Sequence, residues 1–282
     1  MNLDNHWFTE VYTPGGTAFS LRIRDKLHEE QTPYQHIAIY DTTDFGKLMV
    51  LDGAIMLTDR DNFIYHEMMT HVPLFTHAHP RKVVIIGGGD CGTLREVLKH
   101  PTVEEVLQVE IDERVTRLAE QYFPRLCEAN QDSRAKFLFA DGIQWMANAP
   151  ENSVDVVIID STDPVGPATG LFQAPFYQHC RRVLGKQGIV LLQSESPLLH
   201  VSLLQSIHRS LREAGFTATR TVHFPQCVYP SGWWSATLAG DGDLANFRVN
   251  DAKDKVFSTS YYHADIHQAS LVLPAFLQES LP

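Results

Sequence analysis

The sequence predicts an α/β fold in two parts: a small all-β domain over residues 1–60 and a Rossmann-like domain with a parallel-rich sheet over residues 61–282. Apolar and polar residues alternate along much of the first 60 residues, which is typical of half-buried strands. After Pro80, short apolar runs alternate with segments of helical periodicity. Strands that are apolar on both faces and alternate with helices are typical of a parallel sheet.

The N-terminal part is predicted to contain strands in the segments TAFSLRIRD, QHIAIYD and GKLMVLDG, with turn residues between them. A helix is predicted to follow from Asp61. The evidence for it is the recurrence of apolar residues at helical spacing, at Ile64, Met68, Val72 and Phe75.

The second part is predicted to form a sheet from the runs VVII, VLQV, KFLF, DVVII and IVLLQ. Helices are predicted between them, near residues 93–100, 113–127, 173–184 and 200–214. Two further strands, predicted at 217–224 and 233–239, extend the sheet, and a solvent-exposed loop is predicted over 240–255.

The composition of the chain limits the classes of ligand and the cellular location that we expect for it. The chain carries 34 Asp and Glu against 23 Lys and Arg, a net charge of −11, which disfavours nucleic-acid binding and favours a cationic small molecule. No apolar run approaches the roughly 18 residues of a membrane helix. The N-terminal residues do not resemble a signal peptide, and the four cysteines are scattered without a CxxC pair. We therefore expect a cytoplasmic protein without a disulfide framework, a zinc cage or a membrane partner.

The run VVIIGGGDCGTLREV places Gly87, Gly89 and Gly92 in a G-x-G-x-x-G frame between a predicted strand and a predicted helix. Glu110 ends the next strand, at the distance where a carboxylate commonly binds ribose hydroxyls. We interpret the loop as a nucleoside site. The alternative is that these glycines only allow a tight turn.

Asp90 lies inside this loop, where a dinucleotide enzyme brings its pyrophosphate to the helix N-terminus. A carboxylate there repels phosphate and attracts an ammonium or sulfonium group. The loop therefore favours an S-adenosylmethionine-type ligand over NAD, although Asp90 as a simple helix cap remains an alternative.

Acidic residues follow four of the predicted parallel strands, and ligands of open α/β sheets bind at that edge. They are Asp90, Glu110 with Asp112, Asp141 before Gly142, and Asp160 with Asp163. Asp160 ends an all-apolar strand, so we expect it to be partly desolvated. The loop after it contains two prolines, and its two carboxylates are spaced to hold an amine and accept its proton.

In these segments the chain resembles the spermidine synthase (polyamine aminopropyltransferase) family. The resemblance covers nearly the whole chain. It rests on YQHIAIY, VLDG, DRDNFIYHEM, VVIIGGGDCGTLREVLKH, VEID, DVVIIDSTDPVGPATGLF, YPSG and YYHADIHQASLVLP. It implies a methyltransferase-type Rossmann-like domain and transfer of an aminopropyl group from decarboxylated S-adenosylmethionine to putrescine. The products would be spermidine and 5'-methylthioadenosine.

The resemblance also implies a role for each matching residue. Asp160 would be the general base, and the diamine would be held by Asp163, Tyr65 and Tyr229. The nucleoside substrate would be contacted by Gln35, His66, Asp90 (its ammonium), Glu110 (its ribose), Asp141 with Gly142 (its adenine side) and Pro167. Trp7 would cover the diamine tunnel. No metal or redox cofactor is implied, and the family implies a homodimer or homotetramer.

Three residues depart from the usual family pattern, and they affect substrate detail rather than the reaction class. Cys91 replaces a glycine inside the loop, Met56 replaces a polar glutamine after VLDG, and Asn62 replaces a glutamate. We expect the Cys91 thiol either to crowd the substrate or to be reactive if it is exposed.

Several alternatives stay open at this level. One is an aminopropyltransferase for cadaverine or spermidine, which tunnel length would decide. Others are a diamine N-methyltransferase, disfavoured by Asp90, a silent polyamine- or nucleoside-binding relative, and an NAD oxidoreductase. A zinc protease is disfavoured, because His66 and His71 in HEMMTH are five residues apart and do not share a helix face.

Overall fold

The structure, a computed structural model, describes residues 3–164 and 166–281. The N-terminal part is a five-stranded antiparallel sheet in which each strand pairs with the next. Its strands are β1 (Trp7–Tyr12), β2 (Thr17–Gln31), β3 (His36–Thr42), β4 (Lys47–Leu51) and β5 (Ala54–Thr58). The predicted boundary at residues 60 and 61 falls between β5 and the first helix, and the division into two domains stays a prediction.

The second part is a seven-stranded sheet with helices between its strands. The chain runs through α1 (Asn62–Thr76), β6 (Lys82–Gly87), α2 (Gly92–Leu98), β7 (Glu105–Glu110), α3 (Glu113–Tyr122), β8 (Ala135–Phe139), α4 (Gly142–Asn148), β9 (Val156–Asp160), α5 (Ala174–Leu184), β10 (Ile189–Gln193), α6 (Val201–Glu213), β11 (Ala218–Pro225) and β12 (Trp233–Gly240). Three short helices end it: α7 (Val249–Lys253), α8 (Ala264–Ser270) and α9 (Ala275–Ser280). Five strands are parallel, which confirms the predicted α/β class.

The structure adds elements that the sequence pattern did not indicate. Strands β1 and β5 complete the N-terminal sheet. Two short helices are also present: α4 has seven residues, and α7 has five and lies within the segment predicted as a loop. Elements this short do not complete a recognisable apolar period. The third helix ends at Tyr122 rather than at 127, because Pro124 disfavours helical backbone in the residue before it.

The order of the strands places the glycine loop next to Asp160. The sheet runs β11-β12-β10-β9-β6-β7-β8, so β7 and β8 lie on one side of β6, and the chain then crosses to β9 and β10 on its other side. Gly87 at the end of β6 pairs directly with Asp160 at the end of β9. Ligands of open α/β sheets bind at such a switch point.

Helix α1 forms the other wall of this crevice. All its residues from Tyr65 to Phe75 are buried, and it packs against α2, β9, β10 and β11. A helix that is buried on every face lies in the core, and this packing fixes the side chains that α1 directs towards the switch point. None of the helices in the described part of the chain is long and apolar enough to cross a membrane.

Candidate active site

A cavity of about 380 Å³ lies at the carboxyl edge of the parallel strands, between the two sheets. Six carboxylates line it, from Asp52, Asp90, Glu110, Asp141, Asp160 and Asp163. Among the described residues that line it there is no Lys and no Arg. The cavity therefore combines apolar walls with a strongly negative interior, and such a site attracts cations.

The glycine loop brings backbone close to the end of β9. Gly87 has a φ of 84°, and a Cβ atom built on it would lie 2.2 Å from the Asp160 carbonyl oxygen. The Gly88 N–H donates to that same oxygen at 2.7 Å. Only glycine fits at position 87, because both the positive φ and the close contact exclude a side chain.

Cys91 also has a left-handed backbone, with a φ of 68°, but its thiol does not face the cavity. The side chain is fully buried and contacts Gln108 and the Gly89 carbonyl oxygen. The pKa of the Cys91 thiol is raised, mainly by the contact with Cys127 and also by burial. Neither expected consequence is therefore seen: the thiol neither crowds the cavity nor is exposed for reaction.

Asp160 is held by two hydroxyl groups. The Tyr65 hydroxyl donates to Oδ1 at 2.7 Å, and Thr93 Oγ1 donates to Oδ2 at 2.6 Å. Burial and the Asp90 carboxylate raise the Asp160 pKa, while His66 and the two hydroxyls oppose this increase. Burial and Asp160 itself raise the pKa of Tyr65 well above its usual value, so the phenol remains a donor. The arrangement is suited to accepting a proton from an amine.

Asp90 forms a buried pair with His66. His66 Nε2 lies 3.1 Å from Asp90 Oδ1, and that oxygen also accepts the Gly92 N–H at 2.6 Å. Burial opposes the charge on each partner, but their mutual attraction outweighs it, so the pKa of His66 is raised and that of Asp90 is lowered. Asp90 lines the cavity, whereas His66 lies behind it with 1% exposure. Asp90 thus caps the turn and also faces the cavity.

Glu110 and Gln35 lie at another end of the cavity. Glu110 Oε1 accepts the Asp112 N–H at 2.8 Å, and burial raises the pKa of Glu110 to about 7. Gln35 Nε2 donates to Asp112 Oδ2 at 2.9 Å, and Thr32 donates to that oxygen at 2.7 Å. Two acceptor groups from separate sheets, the Glu110 carboxylate and the Gln35 amide oxygen, can therefore receive the hydroxyls of a ribose.

Asp141 directly precedes α4 and caps its N-terminus, because its Oδ1 accepts the Ile143 N–H at 2.8 Å. Gly142 follows, and a Cβ there would lie 2.7 Å from the Ile86 side chain, so glycine allows α4 to approach the sheet. Both residues line the cavity. Pro167 belongs to the 3₁₀ segment Gly166–Phe172, but its side chain lies outside the described part of the structure.

Asp163 lines the cavity in the loop after β9. Burial, together with the negative charges of Glu195 and Glu10, raises its pKa to about 7, although His200 opposes this. His200 Nδ1 lies 2.8 Å from Glu195 Oε2. The sequence pattern did not indicate that Glu195 and Glu10 lie near Asp163.

Tyr229 connects the two sheets at the cavity wall. Its hydroxyl donates to the Met56 carbonyl oxygen, and its ring lies edge-on to Tyr65 at 5.9 Å. In the β4–β5 ladder Val50 pairs with Ile55 and Met49 with Leu57, so Met56 is the extra residue of a bulge. The bulge frees its carbonyl for Tyr229 and places Met56 in the cavity lining, since bulges re-aim side chains.

Nine of the eleven predicted site residues line this one cavity: Gln35, Tyr65, Asp90, Glu110, Asp141, Gly142, Asp160, Asp163 and Tyr229. Trp7 does not line it and is 37% exposed. Sequence reasoning missed Tyr34 and Asp52, which line it, and Thr93, which lies behind it. It named Asp112 as an acidic strand end but not its contact with Gln35. Thr93 directly follows the glycine loop, and this position in the sequence could have indicated that it lies near the site.

His71, the second histidine of HEMMTH, lies in the core and does not line the cavity. His71 is fully buried, with its Nε2 3.2 Å from Glu96 Oε2 and its Nδ1 2.9 Å from His100 Nε2. Over residues 3–164 and 166–281, no group of three or more His, Cys, Asp or Glu is arranged to hold a metal ion.

Two family models match the chain and divide it as its two sheets do. Residues 6–59 match the spermidine synthase tetramerisation domain, and residues 62–249 match the spermine/spermidine synthase domain. The second match covers more than half of the chain. The chain belongs to the spermine/spermidine synthase family.

Curated relatives in this family resemble the chain closely over nearly their full length. The polyamine aminopropyltransferase of Methylococcus capsulatus is 62% identical over 275 residues, covering 98% of this chain and 96% of the relative. That of Nitrosococcus oceani is 63% identical over 281 residues, with 99% of each chain covered. As a member of the family, this chain is an enzyme, a polyamine aminopropyltransferase.

Solved structures of family members have the same fold. A spermidine synthase in complex with the transition-state analogue AdoDATO superposes with a TM-score of 0.95 at 36% identity, covering 100% of this chain and 96% of the other. The spermidine synthase of Thermotoga maritima has a TM-score of 0.92 at 36% identity, with 98% and 94% covered. The Rossmann-like sheet with a small β domain is therefore the family fold.

Proposed function

We propose that this aminopropyltransferase transfers the aminopropyl group of decarboxylated S-adenosylmethionine to putrescine, which gives spermidine and 5'-methylthioadenosine. The observation that carries the proposal is the cavity lined by six carboxylates and by no Lys or Arg in its described lining. Both substrates are cations, since the donor carries a sulfonium and an ammonium and the diamine is protonated at neutral pH. A negative, partly desolvated cavity stabilises both of them.

The donor nucleoside is assigned to the end of the cavity formed by the glycine loop. Glu110 and Gln35 receive the ribose hydroxyls, and Asp141 with Gly142 borders the adenine. Asp90 receives the ammonium of the aminopropyl group, and His66 holds the Asp90 carboxylate from behind. Pro167 is assigned to the methylthioadenosine pocket on the family resemblance alone.

The diamine is assigned to the end of the cavity lined by Tyr65, Tyr229, Asp160 and Asp163. Alkylammonium groups have pKa values near 10, so the attacking amine arrives protonated. The Asp160 carboxylate accepts one proton from it, and Asp163 neutralises the charge of the acceptor.

The transfer is a single displacement. The lone pair of the deprotonated amine attacks the carbon bonded to the sulfonium, and the carbon–sulfur electron pair leaves with sulfur as the neutral thioether. One C–N bond forms, one C–S bond breaks, and the proton on Asp160 passes to solvent. The sulfonium is a good leaving group, so the enzyme contributes mainly alignment and charge stabilisation.

A homodimer or homotetramer is proposed from the match of residues 6–59 to a tetramerisation domain. Cytoplasmic localisation stays a prediction from the sequence. The proposed partners are the two small-molecule substrates.

Product analysis tests the proposal directly. Purified protein is incubated with decarboxylated S-adenosylmethionine and putrescine, and in parallel with cadaverine, with spermidine, and with S-adenosylmethionine as donor. We expect spermidine and methylthioadenosine in equal amounts from the first pair, at the highest kcat/KM. A faster reaction with cadaverine or spermidine would overturn the acceptor assignment, and methylated diamine would overturn the reaction.

The Asp160→Asn variant tests the base assignment in the same assay. It is expected to bind methylthioadenosine and to lose about a thousandfold or more in kcat, within the usual range for removing a general base. A variant with nearly normal turnover would exclude Asp160 as the base.

A further inference from the structure

The two oxygens of the Asp160 carboxylate are held by hydroxyls from two different helices. Tyr65 on α1 donates to Oδ1, and Thr93 on α2 donates to Oδ2 at 2.6 Å. This second distance lies in the short range of charge-assisted O–H···O⁻ hydrogen bonds. The terminal torsion of an Asp side chain is otherwise broad, and a donor at each oxygen fixes it.

Thr93 occupies a position from which it acts on Asp160 without contact to the substrates. Its side chain is fully buried and is not part of the cavity lining. An ionised carboxylate has about four acceptor sites, so one hydroxyl on each oxygen leaves acceptor capacity for an amine.

We infer that Thr93 is a positioning residue for the transfer reaction: its hydroxyl orients the Asp160 carboxylate and stabilises the charged form that takes the proton. The inference rests on the proposed function, in which Asp160 is the base. Neither the family match nor the resemblance of the sequence motifs assigned a role to this side chain.

The charges around Asp160 give this hydrogen bond its importance. Asp90 from the glycine loop, and Glu110 from β7, are carboxylates that disfavour a further negative charge. On the other side, His66 and the Tyr65 hydroxyl from α1 favour it, and the Tyr229 phenol also faces it. In a buried carboxylate cluster, each donor to the charged form keeps the pKa low enough for a base at neutral pH.

Two substitutions separate the hydroxyl from the rest of the side chain. Thr93→Val removes the hydroxyl at nearly constant volume, and Thr93→Ser keeps the hydroxyl and removes the methyl group. In Thr93→Val, the acidic limb of the pH profile of kcat is expected to move up by about one unit, which corresponds to about 1.4 kcal/mol, because the charged form of Asp160 loses one of its hydrogen-bond donors. The KM of the donor is expected to change less than about twofold, since Thr93 makes no substrate contact.

Thr93→Ser is the matched control. It is expected to keep the wild-type pH limb, even if it loses some stability with the methyl group. The inference is overturned if the Val and Ser variants have the same pH limb, or if the Val variant loses only thermal stability. Thr93→Ala replaces Thr93→Val if the latter does not fold, as judged by circular dichroism.

A second measurement does not depend on turnover. The carboxyl carbon of Asp160 is titrated by NMR in protein labelled with ¹³C-aspartate, and its resonance is assigned with Asp160→Asn. We expect a higher titration midpoint in Thr93→Val than in the wild type and in Thr93→Ser. Absence of product with wild-type protein would refute the proposed function, whereas equal midpoints in the three proteins would refute the role of Thr93.

Discussion

The amide of Gln35 and the carboxylate of Asp112 join the two sheets at the nucleoside end of the cavity. Gln35 lies in the loop before β3, Asp112 lies after β7, and Gln35 Nε2 donates to Asp112 Oδ2 at 2.9 Å. Because Asp112 takes the amide nitrogen, the amide oxygen is the end of Gln35 that remains for a ligand, and an oxygen accepts hydrogen bonds from hydroxyls.

Asp112→Asn should therefore weaken methylthioadenosine binding. The substitution removes a charged acceptor that holds both Gln35 and Thr32, so the amide loses its fixed orientation. We expect Kd to rise about tenfold, which corresponds to about 1.4 kcal/mol, by isothermal titration calorimetry. Glu113→Gln, an exposed change one residue away, is the control and should leave Kd unchanged. Equal affinities for wild type and Asp112→Asn would contradict the argument.

Asp90→Asn should discriminate between the two nucleosides. Decarboxylated S-adenosylmethionine carries the ammonium assigned to Asp90, and methylthioadenosine does not. Asparagine keeps an oxygen that can accept the Gly92 N–H but loses the charge. We expect the donor Kd to rise at least about tenfold and the product Kd to change less than about threefold. Similar losses for the two ligands would exclude the ammonium contact.

Glu110 should make the free protein less stable as the pH rises. Burial raises its pKa to about 7, so between pH 4.5 and 7 the folded state binds more protons than the unfolded state. The stabilisation is complete below about pH 4.5 and is lost as the pH rises through about 7. Glu110→Gln should remove this contribution, on the order of 3 kcal/mol, and flatten the pH dependence of the unfolding free energy.

Urea denaturation of both proteins at several pH values measures this contribution. The pKa of Asp163 is also raised to about 7, so part of the slope should remain in Glu110→Gln. Identical slopes for wild type and variant would show that Glu110 does not titrate in this range.

Cys91→Gly should leave turnover within about twofold of the wild type, because the thiol faces Gln108 and not the cavity. The left-handed backbone at this position costs about 1–2 kcal/mol for a residue with a side chain. Glycine removes this cost, and the gain offsets the lost contacts of the buried thiol. Cys91→Ala keeps the strain and loses the thiol, so it should be less stable than Cys91→Gly by about 1 kcal/mol. A large change of donor KM in Cys91→Gly would show that the thiol affects the site.

Glu67→Gln should destabilise the fold. The Glu67 carboxylate is 2% exposed and accepts the backbone N–H groups of Ser260, Tyr261 and Tyr262 at 2.7–2.8 Å. These bonds attach the YYHADIHQASLVLP segment to α1. An amide offers one acceptor oxygen and places an NH₂ group among donors, so we expect a loss of about 2–3 kcal/mol in urea denaturation. Glu104→Gln at an exposed position is the control, and equal stability of the two variants would contradict this role.

The residues that converge on the site could be identified from the order of elements along the chain. Apolar strands alternating with helices predict a parallel sheet, and the carboxyl ends of parallel strands meet at one edge. Glu110 and Asp160 end such strands, and Asp90 and Asp141 come shortly after two others, so their approach to one another follows from chain order alone. The glycine loop could also be recognised in the sequence from its G-x-G-x-x-G frame. The structure gives the reason for its first glycine, because a positive φ and a close backbone contact both require glycine at Gly87.

The hydrogen bonds between these side chains, and the side chains that face the cavity, became known only from the three-dimensional packing. Thr93 and Asp160 are 67 residues apart and Gln35 and Asp112 are 77 apart, yet each pair is joined by a hydrogen bond. The bulge that places Met56 in the cavity lining and the burial of His66 behind Asp90 are likewise visible only in the structure. Contacts of this kind depend on how distant segments pack, and local periodicity carries no information about them.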